Sequence, residues 1–423
     1  MSDPGPDSRG TALTEGVTPS GFALFRYSGF TLLLVSRVIG VFGNQMLNVA
    51  IGYMVWVMTK DPLNLAYVGL AQFAPALALA LFTGHAADRF DRRRVVNVSY
   101  TVQAICSALF MAFVLFDVQQ IWPLFVILVV LGAARAFYQP ASQALLPNLV
   151  PPELFPTAIA WTTSSNKFAT IAGPALAGLS IDWFGVDTVF AMAVGFYTVA
   201  TLMVFCIGPT TQVAKREPLT WESLVAGFSY MRIKPVVFGA ISMDMVAVMF
   251  GGVTALLPIY ATDILDSGAS GLGLLRSSPA VGALAAGLIL TQIPPMRRAG
   301  TVMFISVAIY GVATVVFAFS EVLILSMVAL ALLGAGDMVS VYIRLTLIQI
   351  ATPDHMRGRV SAVNGVFITA SNELGEFRAG LMAAAFGAVA SAAIGGAVVL
   401  GVTALWWRWF PELRRADRLD GKD

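Results

Sequence analysis

Ten ionisable side chains stand inside apolar stretches of this 423-residue sequence. Six are basic (Arg37, Arg135, Lys167, Arg276, Arg344, Arg378) and four acidic (Asp244, Asp337, Glu373, Glu376). A charge at the centre of a membrane helix costs about 2.5–3.5 kcal/mol, so ten facing lipid would cost about 25–35 kcal/mol. Most must therefore face a wet cavity or one another, while Arg276 and Arg344, near span ends, are expected to snorkel. Glu373 and Glu376 are three apart and share a helical face. Neighbouring carboxylates in a low-dielectric site raise each other's proton affinity, which is what a proton-coupling site needs. Asp244 is a rival carrier and Asp337 a further candidate. The structural alternative pairs Glu376 with Arg378 or Lys167 to hold helices together. Asn44, Gln45 and Asn48 form a polar face that can bind cargo but carries no proton; Arg37, Arg135 and Lys167 are the basic cavity candidates.

The elements that position these residues follow from composition. The chain is 57% hydrophobic and 12% charged, with mean hydropathy +0.79; soluble domains carry about 25% charged residues. A bilayer core about 30 Å thick needs about 20 helical residues. Twelve apolar runs qualify: 30–58, 63–83, 95–117, 121–144, 157–181, 188–208, 236–262, 271–292, 300–320, 322–346, 361–385 and 388–410. The expectation is an all-α membrane protein of twelve transmembrane helices in two pseudo-symmetric six-helix bundles. Cys106 and Cys206 read as small core hydrophobes, and His85 and His355 lack ligand-spaced partners, so no metal site and no cofactor is expected.

If the N-terminus is cytoplasmic, nineteen Lys and Arg residues fall in inside segments and only Lys60 outside. That bias places both termini in the cytoplasm of a bacterial-type inner membrane. The organisation read from the sequence is a disordered arm with a short surface helix (1–28), a first bundle (29–208), a linker (209–235), a second bundle (236–410) and a cytoplasmic tail (411–423). Within the linker Trp221, Leu224, Val225, Phe228 and Met231 follow helical spacing, predicting an amphipathic helix on the membrane surface. The halves repeat: Leu131-Gly132-Ala133 matches Leu333-Gly334-Ala335, Pro151 matches Pro353 and Gly173 matches Gly375 at one offset, and Pro75 answers Pro279. The same offset carries Arg135 onto Asp337, predicting opposite charges that approach across a pseudo-twofold axis in at least one state.

Between the second and third runs stands Gly84-His85-Ala86-Ala87-Asp88-Arg89-Phe90-Asp91-Arg92-Arg93-Arg94. It resembles the signature loop of the major facilitator superfamily, Gly-x-x-x-Asp-Arg-x-Gly-Arg-Arg, with Asp91 where the family has glycine. The resemblance implies a gating latch built on Gly84, Asp88, Arg89, Arg92 and Arg93. The second half keeps only Pro294-Pro295-Met296-Arg297-Arg298. Leu131 to Arg135 resembles the arginine motif of proton-driven drug antiporters, and Gly173-Pro174-Ala175-Leu176-Ala177-Gly178 their Gly-Pro motif, implying a bend at Gly173, Pro174 and Gly178. Phe73-Ala74-Pro75, Leu256-Leu257-Pro258, Arg357-Gly358-Arg359-Val360 and Asn372-Glu373-Leu374-Gly375-Glu376 resemble the branch of enterobactin exporters and related efflux proteins. That branch implies a proton-coupled exporter of an amphipathic small molecule, siderophore or drug-like, working by alternating access as a monomer.

Two other readings stay open: lysophospholipid translocation on the same fold, and a transport-inactive membrane sensor. A membrane enzyme would want a His/Asp/Glu cluster or a nucleophile at a membrane edge, and none is found. No Gly-x-x-x-x-Gly-Lys-Ser/Thr motif occurs, which excludes nucleotide-driven transport within this chain. No basic tail marks a nucleic-acid partner. The partners expected are a small-molecule substrate, protons and the lipid bilayer.

Overall fold

The computed structural model describes residues 21–208, 221–293 and 298–415. The arm at 1–20, most of the linker at 209–220 and the tail from 416 lie outside the described residues. Among those described there is no strand. After a 3-10 turn at Gly21–Arg26 the first six helices are α1 (Ser28–Thr59), α2 (Pro62–Arg89), α3 (Arg92–Leu115), α4 (Trp122–Leu145), α5 (Phe155–Phe184) and α6 (Val186–Phe205). Then come α7 (Trp221–Ile233), α8 (Pro235–Gly251), a short α9 (Leu257–Ile259), α10 (Gly268–Gln292), α11 (Ala299–Ala318), α12 (Leu323–Ala351), α13 (Asp354–Phe386), α14 (Ala388–Trp409) and α15 (Pro411–Arg414).

Ten segments among the described residues are long and apolar enough to cross a membrane. Helices α5 and α13 fall outside that set although they run 30 and 33 residues. Their composition explains it: α5 carries Thr162-Thr163-Ser164-Ser165-Asn166-Lys167, and α13 carries Glu373, Glu376 and Arg378. These two long helices outside the apolar set are where transport chemistry would be expected.

The seventh apolar run is not one helix. It stops at Gly251, turns extended at Gly252, resumes as a 3-10 turn at Thr254–Leu256 and ends in a π-helical turn, Tyr260–Ile264. Continuous hydropathy concealed the break, because the Gly251-Gly252 pair and Pro258 interrupt backbone bonding without changing apolarity. The carbonyls freed there are satisfied by Arg378, which donates to the oxygens of Met249 (3.1 Å), Phe250 (2.6 Å) and Gly252 (3.5 Å). Arg378 is thus a helix-end cap and is not Glu376's partner.

Two helix crossings are built alike. A Cβ on Gly132 of α4 would stand 2.3 Å from the Gln72 carbonyl of α2, and one on Gly334 of α12 would stand 2.0 Å from the Pro279 carbonyl of α10. Only glycine permits both crossings. Helix α1 packs on α5 and α6, and α3 on α4 and α6; α8 packs on α13 and α14, and α11 on α12 and α14. The two sets meet where α5 lies against α10 and α2 against α13.

Helix α7 forms where the periodicity predicts it, but its partner is protein. Met231 is fully buried with Val237, Ile241, Ile348, Val360 and Val363, and Tyr230 donates to the Ala351 carbonyl at 3.0 Å. Phe228 meets Phe367 edge-on. Of the predicted apolar face, Met231 is therefore docked among α8, α12 and α13 and Phe228 touches α13, whereas Val225 is exposed.

Candidate polar cavity between the two helix sets

A central cavity of about 480 Å³ lies between the two sets of helices. From the first set come Asn44 and Asn48 of α1, Gln72 of α2 and Arg135 of α4; from the second, Arg276 of α10 with Glu373 and Glu376 of α13. Arg135 donates to the Asn48 side-chain oxygen at 3.2 Å and to the Gln72 side-chain oxygen. Its Nε and second terminal nitrogen are buried without a hydrogen-bond partner. Arg276 interacts electrostatically with both glutamates, and Glu376 rests against α2 at Gly69.

A second cavity of about 250 Å³ opens within the later helices, with Asp337, Asn372 and Tyr310 on its wall. Glu376 borders both cavities. Beside the second lies a buried ion pair: Arg344 of α12 bonds Asp244 of α8 at 2.5 Å, and Ser340 donates to the other carboxylate oxygen at 3.1 Å. Asp337, Ser340 and Arg344 fall at i, i+3 and i+7, one face of α12.

Several sequence expectations need correcting. Arg344 does not snorkel; it is 2% exposed and neutralises Asp244. Arg276 lines the central cavity. Arg37 is buried, donating to the Ser142 hydroxyl at 2.8 Å and to its carbonyl, so it ties α1 to α4 away from the cavity. Gln45 packs against Gly173, at the α1–α5 crossing. Lys167 is exposed and interacts electrostatically with Asp337. In this conformation Arg135 binds Asn48 and Gln72, while Asp337 faces the second cavity. Gln72 was missed, although a lone amide in an apolar run carries the same signal as the charges.

At the signature loop, the side chains of Gly84 and Asp88 lie outside the described residues, and Arg89 is exposed. Arg92 donates to the Ala144 carbonyl at 3.0 Å and Arg93 to that of Ile207. Asp91 is the N-cap of α3, accepting from the Arg93 amide at 3.0 Å, and it pairs with the Arg93 guanidinium at 3.1 Å. Partial burial pushes its carboxyl up, but the Arg93 hydrogen bonds and the Arg93 and Arg94 charges hold it below the usual range. An aspartate at this position therefore starts a helix.

The Gly-Pro segment is a packing surface. Helix α5 runs on through Pro174; a Cβ on Gly178 would lie 2.3 Å from the Ala269 carbonyl, and Gly273 presses on the Pro174 carbonyl. At the same end of the molecule Asp182 of α5 accepts the amides of Ala269 (3.1 Å) and Ser270 (2.9 Å) at the start of α10. Nearby, Lys60 bonds Asp263 at 2.7 Å, and Trp56 Nε1 donates to Thr262 at 2.8 Å and Asp263 at 3.2 Å. These contacts fasten the two helix sets together at the end that carries the α1–α2 and α5–α6 turns.

The profile of a family described as transmembrane secretion effector matches residues 19–421. The enterobactin exporter EntS of Citrobacter koseri is 27% identical over 403 residues, covering 92% of this chain and 93% of the relative. EntS of Escherichia coli O139:H28 is similar to the same extent. Among solved structures, an inward-facing, occupied bacterial homologue of the human lysosomal transporter Spinster matches with TM-score 0.69 at 13% identity, over 92% of this chain and 97% of that one. A peptide transporter of the POT family matches with TM-score 0.72 at 10% identity, over 92% and 96%. At such identities these structures speak for the fold alone. The chain belongs to the transmembrane secretion effector family of the major facilitator superfamily: it is a multi-pass secondary transporter of small molecules in a bacterial-type inner membrane, not an enzyme.

Proposed function

We propose that this transporter exports an oxygen-rich amphipathic molecule, siderophore or drug-like, in exchange for protons. The observation that carries it is Glu373 and Glu376 in one cavity with Arg135 and Arg276. The Arg135 and Arg276 guanidinium groups that line the cavity can donate to acceptor oxygens of a cargo. Protons arriving on the glutamates would release Arg276 from them and let cargo and proton alternate at one site. The relatives named as enterobactin exporters support cargo of the siderophore kind.

The reading includes twelve spans in two six-helix halves, α1–α6 and α8–α14, with α5 and α13 counted among the spans beside the ten apolar ones. The excess of Lys and Arg on one side supports cytoplasmic termini. With that orientation the Lys60–Asp263 and Asp182–α10 contacts close the external end, as in an inward-facing state.

Reconstitution into liposomes with an imposed pH gradient tests the reading, using siderophores, cationic drugs and lysolipids as cargo. The expected result is gradient-driven accumulation of a siderophore or drug, abolished by collapsing the gradient and by Glu376→Gln. Transport that ignores the gradient overturns proton coupling, and lysolipid as the sole cargo overturns the export of siderophore or drug.

A further inference from the structure

The cavity-facing residues of α4, Gly132, Arg135, Ala136 and Gln139, leave its other face to be explained. On that other face Val130, Ala133 and Phe137, with Val98 and Val102 of α3, line an apolar groove of about 520 Å³. Val98 is 61% exposed and Val130 44%, which in a membrane-spanning helix pair means exposure to acyl chains rather than to water. The groove ends at Arg94, and Arg94 also borders a second hollow of about 410 Å³ lined by Arg93, Asn97 and Phe205. Arg94 is exposed and makes no hydrogen bond among the described residues, whereas Arg93 is engaged by the Ile207 carbonyl and Asp91. Asp91, the acid at the groove mouth, is already paired with Arg93.

We propose that these two hollows are one lipid site: the phosphate of an anionic phospholipid sits at Arg94, and one of its acyl chains fills the α3–α4 groove. A basic rim next to an apolar channel matches the order of charge and hydrocarbon along a phospholipid. The pairing of Asp91 with Arg93 removes the repulsion that an unpaired acid would exert on the phosphate. Asn97, whose side-chain nitrogen donates to the Thr201 carbonyl at 3.0 Å, fixes the wall between α3 and α6. The site faces away from the central cavity, so it stands whether or not the proposed cargo is right.

The test is native mass spectrometry of the full chain released from detergent, titrated with dioleoyl phosphatidylglycerol or dioleoyl phosphatidylcholine. The wild type should retain the anionic lipid preferentially. Arg94→Gln should lower that retention about fivefold, the effect of one arginine next to anionic lipid, and leave phosphatidylcholine retention unchanged. Val98→Trp, which fills the groove and keeps both arginines, should lower retention of both lipids. Equal retention of the two lipids by the wild type, or unchanged binding in both variants, overturns the proposal. Displacement of the lipid by millimolar glycerol phosphate alone also overturns it, because the groove would then hold no chain.

Discussion

Glu376 borders both cavities, whereas Glu373 lines only the central one, so the two neighbours should not be equivalent. Glu376→Gln is expected to abolish gradient-driven transport, and Glu373→Gln to weaken cargo competition more than proton flux; measuring substrate and proton flux in the same vesicles separates them. The Asp244–Arg344 pair calls for a different experiment. Asp244→Asn leaves a buried guanidinium uncompensated, at a cost of about 3–5 kcal/mol. A lowered melting temperature in detergent, partly restored by Asp244→Asn combined with Arg344→Met, is the expected outcome; an unchanged melting temperature would refute a structural role for the pair. Charged residues within apolar runs were legible as special from sequence alone. Their partners were not, since distance from the end of a run says nothing about the direction a side chain takes. Arg276 and Arg344 were placed alike by that measure, yet one faces the cavity and the other Asp244.

Among the helices, close approach decides more than hydropathy. A Cβ on Gly334 would overlap the Pro279 carbonyl, while a Cβ on Gly365 of α13 meets nothing within 4 Å. Gly334→Ala should therefore cost about 1–3 kcal/mol of stability, and Gly365→Ala should be neutral or stabilising by about 0.5–1 kcal/mol. Thermal unfolding of the two variants side by side reads the contrast; equal melting temperatures would refute the packing argument. Asp91→Ala should cost about 1 kcal/mol as a lost N-cap. Because its carboxyl titrates below the usual range, that contribution is present at neutral pH and is lost only as acid protonates the folded form. Helix positions were largely readable, as the run 30–58 and the observed Ser28–Thr59 show. The break after Gly251 was not, because backbone hydrogen bonding leaves no trace in a hydropathy profile.

For the molecule as a whole, the fastening at one end sets which conformation is favoured. The Lys60–Asp263 pair is half exposed and worth little by itself, but it joins the Trp56 and Asp182 bonds in holding both helix sets. Lys60→Ala combined with Asp182→Asn should shift the population towards opening at that end. Faster labelling of a cysteine introduced at Asn48, in a background lacking Cys106 and Cys206, by an impermeant reagent added outside would show it; an unchanged rate would refute the latch. Sequence alone could not place this contact, since Asp182 and Asp263 sit at turns like any other surface acid.

The interrupted seventh span gives this fastening a mechanical meaning. Its upper piece is tied through Thr262 and Asp263 to the first helix set, and its lower piece, α8, to α13 and α14. A rigid rod held by both partners would have to tear one grip whenever the halves rock. A jointed rod does not, because Gly252 can flex while Arg378 keeps hold of the Met249 and Phe250 carbonyls that end the shaft. The tip, which the Tyr260 hydroxyl also ties to the Ala318 carbonyl of α11, can then tilt while the shaft stays seated on α13 and α14.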